Sequence, residues 1–418
     1  MAGQRRVGWY HGWNVVGACV LVQMCAIGLT VNCFSLFLPS WMHEFNVPAS
    51  SLALAITLFS IGTIATQYLI GICSTRYPAR LVVGTGLAIL AGTLILVSQA
   101  RAGWHITAIY IFVMPFALGL TGAVPLQSLV SRWFLQRSGI AIGLTALGLA
   151  LGGVVFPPII VELLPQVGWR WIWAGMGLFV LLVTMPVAML IMRNRPQPDD
   201  PAMYARPAEG QPLLHATVSL REILSRRNFW ISIYAFLSMI CIAMTVAIDI
   251  SPILGSYGAS TAMIGLFVSV CSMAQLASKL GSGWLADRAG TRLPMIVIAT
   301  LSGAGALLLS VPQANSASLI GVAIITGAVG GAWTMAAHSQ VVEFGPANFG
   351  RAFGVVCTIS PLTTLAPPII AKFEETTGSF APALAFLGVN SLVAAVVVAL
   401  FYRKPVRLAA PTAEVSPA

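Results

Sequence analysis

Charged side chains are scarce in this chain. Of its 418 residues only 8% are Asp, Glu, Lys or Arg, whereas 58% are hydrophobic, and soluble domains carry roughly a quarter of charged residues. So few charges cannot cover a water-exposed surface of this size, which excludes a soluble globular protein and indicates a membrane-embedded one. The net charge of +10 then reflects the positive-inside rule, and we expect no nucleic-acid partner.

Motifs of enzymes and metal sites are also missing. The seven cysteines all lie in apolar segments without paired spacing, which speaks against a disulfide framework or a metal site. The sequence has no paired carboxylates, no phosphate-binding loop and no nucleophile elbow in context. We therefore expect no enzyme, no cofactor and no metal. A polytopic membrane enzyme or sensor is the alternative class, but a sizeable soluble signalling domain is lacking.

Twelve apolar runs follow one another, each long enough to cross a bilayer as a helix. Their approximate bounds are 13–38, 50–73, 81–99, 105–129, 139–163, 170–192, 229–250, 259–285, 293–311, 317–339, 352–372 and 381–402. The long polar segment between the sixth and seventh carries an amphipathic piece near Leu220–Leu224. We predict an all-α membrane protein with twelve transmembrane helices in two pseudo-symmetric six-helix bundles, 1–192 and 229–418, joined by a cytoplasmic linker, 193–228, with an interfacial helix.

The distribution of Lys and Arg sets the predicted orientation. With both termini in the cytoplasm, 18 of the 22 Lys and Arg lie in cytoplasmic segments and three lie outside, as the positive-inside rule requires. The remaining cation, Lys279, is left within an apolar run. We expect a monomer in the cell (inner) membrane, in contact with membrane lipids.

The two halves of the chain share short segments at a nearly constant offset. The pairs are Gly71–Arg80 with Gly283–Arg292 (offset 212), Arg137–Gly143 with Asn348–Gly354 (offset 211), and Pro157-Pro158 with Pro367-Pro368 (offset 210). Three matches in register indicate duplicated halves. Many secondary transporters are built in this way, with a central site between the repeats.

The segment 283–292 reads G-W-L-A-D-R-A-G-T-R and resembles the complete signature loop of the major facilitator superfamily. Other segments resemble the branch of monocarboxylate transporters and oxalate/formate antiporters, particularly its prokaryotic members. They are His11-Gly12-Trp13, Arg132-Trp133-Phe134, Gly168-Trp169-Arg170, Asn228-Phe229-Trp230 and Glu375-x-Thr377-Gly378. The resemblance covers nearly the whole chain. It implies the major facilitator fold and transport by alternating access.

The polar turn at 283–292 carries most of the predicted gating residues. The full set is Asp287, Arg288, Arg292, Gly283, Gly290, Arg76 and Arg137. Gly290 suits a turn with positive φ, and Gly283 permits close backbone approach. Asp287 can accept hydrogen bonds from free N–H groups at the start of the fifth predicted helix, near Ser138, while Arg288 and Arg292 can pair with it or with lipid phosphate. A charged turn that only fixes the topology is the alternative.

The first-half copy of this turn lacks the carboxylate. Thr75 stands at the place of Asp287, and Pro78 at the place of Gly290. We infer that one of two duplicated locks is weakened, which should make the inward-open state easier to reach.

Lys279 is the candidate for substrate binding. It lies eight residues before Asp287, about 12 Å along a helix, and a lysine in the hydrocarbon core costs roughly 2.5–3.5 kcal/mol. Ser272, Gln275 and Ser282 form one polar stripe with it at helical spacing. None of the twelve acidic residues is expected at its depth, so a substrate that brings a carboxylate is favoured. The alternative is a lysine that extends to the cytoplasmic interface.

The family resemblance adds further expectations. At the position of Lys279 the branch carries a substrate-binding arginine, whose bidentate geometry a lysine lacks. Gln275 and Asn32 stand where proton-coupled relatives have an aspartate and a lysine, and because neither amide titrates, that coupling scheme cannot be carried over. Proton exchange at Lys279 itself, uniport and anion exchange all stay open.

The remaining candidates for a small-anion site are polar or aromatic residues expected to face a central cavity. They are Asn32, Gln127, Tyr234, Trp333 and Ser360, besides Gln275. For each of them helix–helix hydrogen bonding is the alternative role. We predict a secondary active or facilitative transporter of small organic anions, chiefly monocarboxylates, with protons as a candidate coupling ion. An exporter of drugs or other metabolites is the alternative.

Overall fold

The computed structural model describes residues 10–47, 49–134, 137–194, 218–311 and 316–403, and within these ranges the chain is helical without any β-strand. The first half contains α1 (Gly12–Ile27), α2 (Phe34–Phe45), α3 (Ala49–Arg76), α4 (Ala79–Ser98), α5 (Gly103–Phe112), α6 (Met114–Leu120), α7 (Ala123–Trp133), α8 (Ser138–Val167), α9 (Trp169–Phe179) and α10 (Met185–Ile191). The second half contains α11 (Leu220–Ser225), α12 (Arg227–Ser256), α13 (Thr261–Ala289), α14 (Arg292–Leu309), α15 (Ser316–Gly327), α16 (Ala332–Ile359), α17 (Ala366–Thr377) and α18 (Ala381–Phe401).

The twelve predicted apolar runs all coincide with helices. Ten helical stretches of the described residues are long and apolar enough to cross a membrane. One of these stretches, Ser318–Glu374, contains both the tenth and the eleventh predicted runs, because the turn expected between them is short: the non-helical Gly345 (φ 73°, ψ 164°) separates two helices within α16. The second predicted run corresponds to α3, which is not among the ten. The prediction of an all-α membrane protein is confirmed.

The predicted linker is described only in part. Its amphipathic piece forms α11, whose Ser219 cap accepts a hydrogen bond from the Glu222 amide and whose Ile223 is fully buried. Val218, just before it, donates its N–H to Asn348 on α16 (3.0 Å). Residues 195–217 and both chain termini lie outside the described ranges, so the domain bounds and the position of the termini stay predictions.

Short irregular turns interrupt several of the long helices. They are two π-helical turns, Gly28–Asn32 and Val180–Thr184, and two 3-10 turns, Ala328–Gly331 and Ser360–Leu365. Irregular turns within helices often mark functional positions. Ser278 on α13 fastens one of them, because its hydroxyl donates to Ala328 O (2.6 Å) and accepts from the Gly331 amide (3.1 Å).

Glycines spaced four residues apart let long helices touch backbone to backbone. On α8, a methyl group added at Gly148 would lie 2.6 Å from Val20 O, and one at Gly152 would lie 2.7 Å from the Cα of Gly28. Both values are shorter than any real Cβ contact, so only glycine fits at these positions. Such packing through small residues is typical of membrane helices. In a bilayer the hydrophobic effect does not hold helices together, and close contact between their backbones does so instead.

A polar network ties α2, α4 and α9 together where α8 ends and α9 begins. The Arg170 guanidinium donates to Ser98 O (3.0 Å), Ala100 O (2.7 Å) and Glu44 Oε1 (2.6 Å), and the Trp169 indole donates to Glu44 Oε2 (2.5 Å). Although burial raises it, the pKa of the Glu44 carboxyl is lowered overall by these hydrogen bonds and by the charge of Arg170. The network therefore stabilises the carboxylate form.

We expect Arg170→Leu to lower the midpoint of thermal unfolding, because two carbonyls and a carboxylate lose a charged donor. A hydrogen bond to a charged group contributes about 1.5–3 kcal/mol, and solvent screening at the partly exposed Arg170 reduces the expected net loss to about 1–2 kcal/mol. Thermal unfolding in detergent measures this loss. Arg101→Leu, at a neighbouring exposed arginine, is the control, and equal destabilisation by both changes would contradict the role of the network.

Candidate functional site

The two halves of the chain meet where α13 crosses the start of α8. A methyl group added at Gly283 would lie 2.3 Å from Gly139 O, and one at Gly139 would lie 2.3 Å from Gly283 O. The Asp287 carboxylate accepts the Gly139 N–H at Oδ1 (2.8 Å) and the Ile140 N–H at Oδ2 (3.0 Å). These amides belong to the first turn of α8, where they lack intrahelical acceptors and where the helix dipole favours an anion. The predicted hydrogen bonds of Asp287 are thus confirmed.

A buried histidine flanks this carboxylate. His338 of α16 places Nε2 3.8 Å from Asp287 Oδ1 and Nδ1 3.0 Å from the Thr291 hydroxyl. The charge of Arg137, which is exposed just before α8, also acts on Asp287. The carboxylate therefore bridges both halves of the chain, with α8 on one side and α16 on the other.

The two arginines of the turn lie against other partners. The Arg288 guanidinium stacks over the Trp284 ring, 4.1 Å from its centroid, and Arg292 donates to Ala399 O of α18. Within the described residues neither pairs with Asp287, and because both side chains are exposed, pairing with lipid phosphate stays a prediction. Gly290 ends α13 with a φ of 77°, which confirms the predicted positive φ. Arg76 is exposed at the end of α3.

A second contact between the halves repeats the first one. A methyl group added at Gly71 of α3 would lie 2.4 Å from Gly350 O of α16. Thr75 stands where the carboxylate would be, and its hydroxyl donates to Ile72 O of its own helix (2.8 Å). The second contact thus keeps the glycine packing but has no acidic cap, as the sequence predicts.

Lys279 lies one helical turn from the Gly283 contact. A methyl group added at Gly143 of α8 would lie 2.7 Å from Lys279 O, and the same oxygen accepts from the hydroxyls of Ser282 (3.2 Å) and Thr334 (3.4 Å). The lysine side chain is partly buried, and its ammonium group forms no hydrogen bond or ion pair within the described part of the chain. The backbone of the lysine is thus held between α8 and α16 while its charge has no partner there.

Two further candidates, Gln275 and Trp333, lie near Lys279. Gln275 is half-buried one turn from Lys279, and its backbone packs against Gly330, where a methyl group would lie 2.3 Å from Gln275 O. Trp333 stands next to Thr334 and packs edge-on against Phe236 of α12, with centroids 4.8 Å apart. The structure therefore groups Lys279, Gln275 and Trp333 around the start of α16.

Three of the other four candidates already form hydrogen bonds with neighbouring groups. Asn32 donates to Leu149 O of α8 (3.4 Å), and the Tyr234 hydroxyl donates to Asn390 of α18 (2.9 Å). The Ser360 hydroxyl donates to the carbonyl of Cys357, one turn earlier (3.1 Å). Gln127 is buried, and its Oε1 lacks a hydrogen-bond partner among the described residues. For Asn32, Tyr234 and Ser360 these contacts match the alternative of helix–helix or local hydrogen bonding.

Sequence reasoning missed several of the glycines through which the two halves touch. Gly139 and Gly143 of α8, and Gly350 and Gly354 of α16, each form a G-x-x-x-G pair that faces the other half. This spacing is a known signal for close helix packing in membranes and could have identified them. No sequence signal pairs His338 with Asp287, because only the tertiary structure brings the two side chains together.

Gly283→Ala should open the contact between α8 and α13, because its Cβ would lie 2.3 Å from Gly139 O. The measurement is thiol labelling of a cysteine at the buried Thr334 in a background without the seven native cysteines, and we expect faster labelling. Gly281→Ala is the matched control, since a Cβ there meets nothing within 4 Å. Equal labelling rates in the two variants would rule out a gating role for this contact.

Asp287→Asn should also speed this labelling. An asparagine keeps one acceptor oxygen, but it presents an N–H group to the second amide of α8. It also removes the negative charge at the start of that helix. Together these losses weaken the contact between α8 and α13 by about 1–2 kcal/mol. Asp249→Asn, at a carboxyl of α12 remote from this contact, is the control and should leave the rate unchanged. If Asp287→Asn leaves the labelling rate unchanged, the carboxylate does not help to close the contact between α8 and α13.

Comparisons with known proteins agree with this architecture. The chain is 30% identical over 275 residues to the MFS-type transporter opdF of Penicillium oxalicum (64% of this chain, 61% of that protein). It is 26% identical over 411 residues to the fujikurins efflux protein of Gibberella fujikuroi (94% and 82%) and 27% identical over 405 residues to monocarboxylate transporter 11 of Mus musculus (91% and 84%).

A solved structure and a family model cover nearly the whole chain. The proton:xylose symporter XylE, bound to 6-bromo-6-deoxy-D-glucose, superposes with a TM-score of 0.69 at 14% identity, covering 94% of this chain and 96% of that one. The family model described as Major Facilitator Superfamily matches residues 20–250 and 243–417. The chain is therefore a membrane transporter and not an enzyme, and it belongs to the major facilitator superfamily.

Proposed function

We propose that this protein carries small organic anions, chiefly monocarboxylates, across the cell membrane by alternating access. One observation carries the proposal: Lys279 lies one helical turn from the contact that joins the two halves, and within the described part of the chain its ammonium group has no counter-ion. A charge in a membrane interior is costly unless it is paired. A substrate carboxylate supplies the missing partner, whereas a cationic substrate would be repelled.

The position of Lys279 also explains how binding would affect the gate. Lys279, Gly283 and Asp287 follow each other at intervals of four residues and present one face of α13 to Gly143 and Gly139 of α8. An anion that draws the lysine side chain toward it acts on the same helix face that holds the gate. Substrate binding and gate opening are thereby linked through one rigid helix.

Relatives support the proposed substrate class and also the alternative. The name monocarboxylate transporter 11 favours the branch of monocarboxylate transporters and oxalate/formate antiporters, whereas the name fujikurins efflux protein favours export of a metabolite. The lack of a counter-ion for Lys279 within the described residues favours the small anion. A metabolite exporter is the second candidate, and the same vesicle experiment separates the two.

The proposal includes an orientation and a coupling scheme. In this proposal the protein is a monomer in lipid with both termini in the cytoplasm, and the glycine contacts and Asp287 close its cytoplasmic side. The bundles 1–192 and 229–418 then move relative to each other about these contacts. Proton symport, anion exchange and uniport are distinguished by whether a pH gradient or a trans anion drives uptake.

Lys279→Gln should abolish most anion transport, because the substrate carboxylate loses a charge-assisted hydrogen bond of about 1.5–3 kcal/mol, equivalent to about tenfold or more in affinity. Counterflow of labelled pyruvate, lactate, oxalate and formate in proteoliposomes measures this. Lys279→Arg should retain transport, and Lys372→Gln, at an exposed lysine of α17, is the control. Undiminished counterflow in Lys279→Gln would refute the anion site, and uptake of hydrophobic metabolites alone would favour the exporter.

A further inference from the structure

A titratable side chain that the proposed anion site does not use is buried beside the contact of α8 and α13. His338 of α16 is 4% exposed, and its Nε2 lies 3.8 Å from Asp287 Oδ1. That oxygen is the one that accepts the Gly139 N–H of α8 at 2.8 Å. One carboxylate oxygen therefore lies between an imidazole of the second half and an amide of the first half.

The other ring nitrogen of His338 fixes the orientation of the imidazole. Nδ1 is hydrogen-bonded to the Thr291 hydroxyl (3.0 Å), and the Tyr402 phenol interacts with the same threonine side chain. The 3.8 Å between Nε2 and the Asp287 carboxylate exceeds a hydrogen bond, whose N···O distance is about 2.7–3.2 Å. Protonation makes both ring nitrogens donors. The hydrogen bond that the ring can then add is the one from Nε2 to Asp287.

The charges around His338 come from several elements. Asp287 belongs to α13, Arg137 precedes α8 and acts on Asp287, and Glu343 of α16 acts on Tyr402 after α18. In the described part of the chain, Asp287 has the only carboxylate within 4 Å of the ring nitrogens. Arginines of the neighbouring helices contact other groups, namely Arg132 the Ser74 carbonyl, Arg227 the Phe401 ring, Arg288 the Trp284 ring and Arg292 the Ala399 carbonyl.

A proton on His338 opposes the closed contact for an electrostatic reason. The first turn of α8 is the positive end of a helix dipole, and Arg137 adds a positive charge there. Asp287 is the negative charge that balances both in the closed contact. An imidazolium draws Oδ1 toward Nε2 and cancels this charge, so the amides of α8 lose part of their attraction. A buried charge also costs free energy, which water recovers once the contact opens.

We propose that His338 is a proton-binding site, and that a proton bound there opens the contact between α8 and α13. The proton adds to the imidazole ring, and no other covalent bond forms or breaks. Because the open contact binds the proton more tightly than the closed one, a lower pH shifts the equilibrium toward the open contact. In the orientation proposed above, a fall in cytoplasmic pH favours the inward-open state. This inference concerns the gate and does not depend on the anion site at Lys279.

The test is the pH dependence of thiol labelling at Thr334→Cys, in the background without the seven native cysteines. The rate in the protein with His338 is divided by the rate in His338→Gln, so that the ordinary effect of pH on the thiol cancels. Glutamine keeps a polar amide that cannot be protonated. We expect this ratio to rise about three- to tenfold when the pH falls from about 7.5 to about 5.5.

Two controls separate opening from other effects of pH. His11→Gln, at a half-buried histidine bonded to Ile191 O (3.0 Å), should leave the response of the labelling rate unchanged. In the Gly283→Ala background, where the contact is already open, the ratio should stay constant with pH. An equal rise there would overturn the proposal, because the charge of His338 would then act on the thiol and not on the contact.

A ratio that stays constant with pH when Gly283 is present would also overturn the proton site at His338. Thermal unfolding in detergent at both pH values shows whether His338→Gln is folded. If it is not, His338→Asn replaces it, because its amide occupies the place of Nδ1 and keeps a partner for Thr291. Either negative result leaves the anion site intact, since counterflow with Lys279→Gln tests that site separately.

Discussion

The close crossing of α8 and α13 is the constraint on which the rest of this transporter depends. Gly139 and Gly283 bring two backbones to a distance that any side chain would prevent, and Asp287 then supplies the acceptor that the first amides of α8 lack. The carboxylate depends on the glycine contact, because a carboxylate on a more distant helix would not reach the amides. In a hydrocarbon environment such close packing and hydrogen bonding replace the hydrophobic effect as the source of helix association.

Duplication explains the two contacts between the halves. The crossing of α3 and α16 repeats the glycine contact of α8 and α13, but Thr75 stands at the place of Asp287. The two contacts therefore share a geometry, and only one of them holds a carboxylate.

Much of the fold was predictable because a bilayer restricts the choices. Apolar runs of about 20 residues must be helical, and the charges between them follow the positive-inside rule. The boundaries were less predictable: the break between the tenth and eleventh runs is a short turn at Gly345, whose positive φ separates two helices within α16, where we expected a longer loop. Among the site residues, the partners of Asp287 were predicted correctly, whereas Arg288 and Arg292 contact Trp284 and Ala399.

The sequence by itself determined the membrane class, the repeated halves and the one cation that topology does not explain, because composition and periodicity are local properties of the chain. Only the tertiary structure decided which glycines meet, that His338 approaches Asp287, and that Tyr234 bonds Asn390. Those contacts join residues that are about 50 to 280 positions apart, and they depend on how each helix is rotated about its axis. Hydropathy carries little information about that rotation, since lipid-facing and buried surfaces of a membrane helix are both apolar.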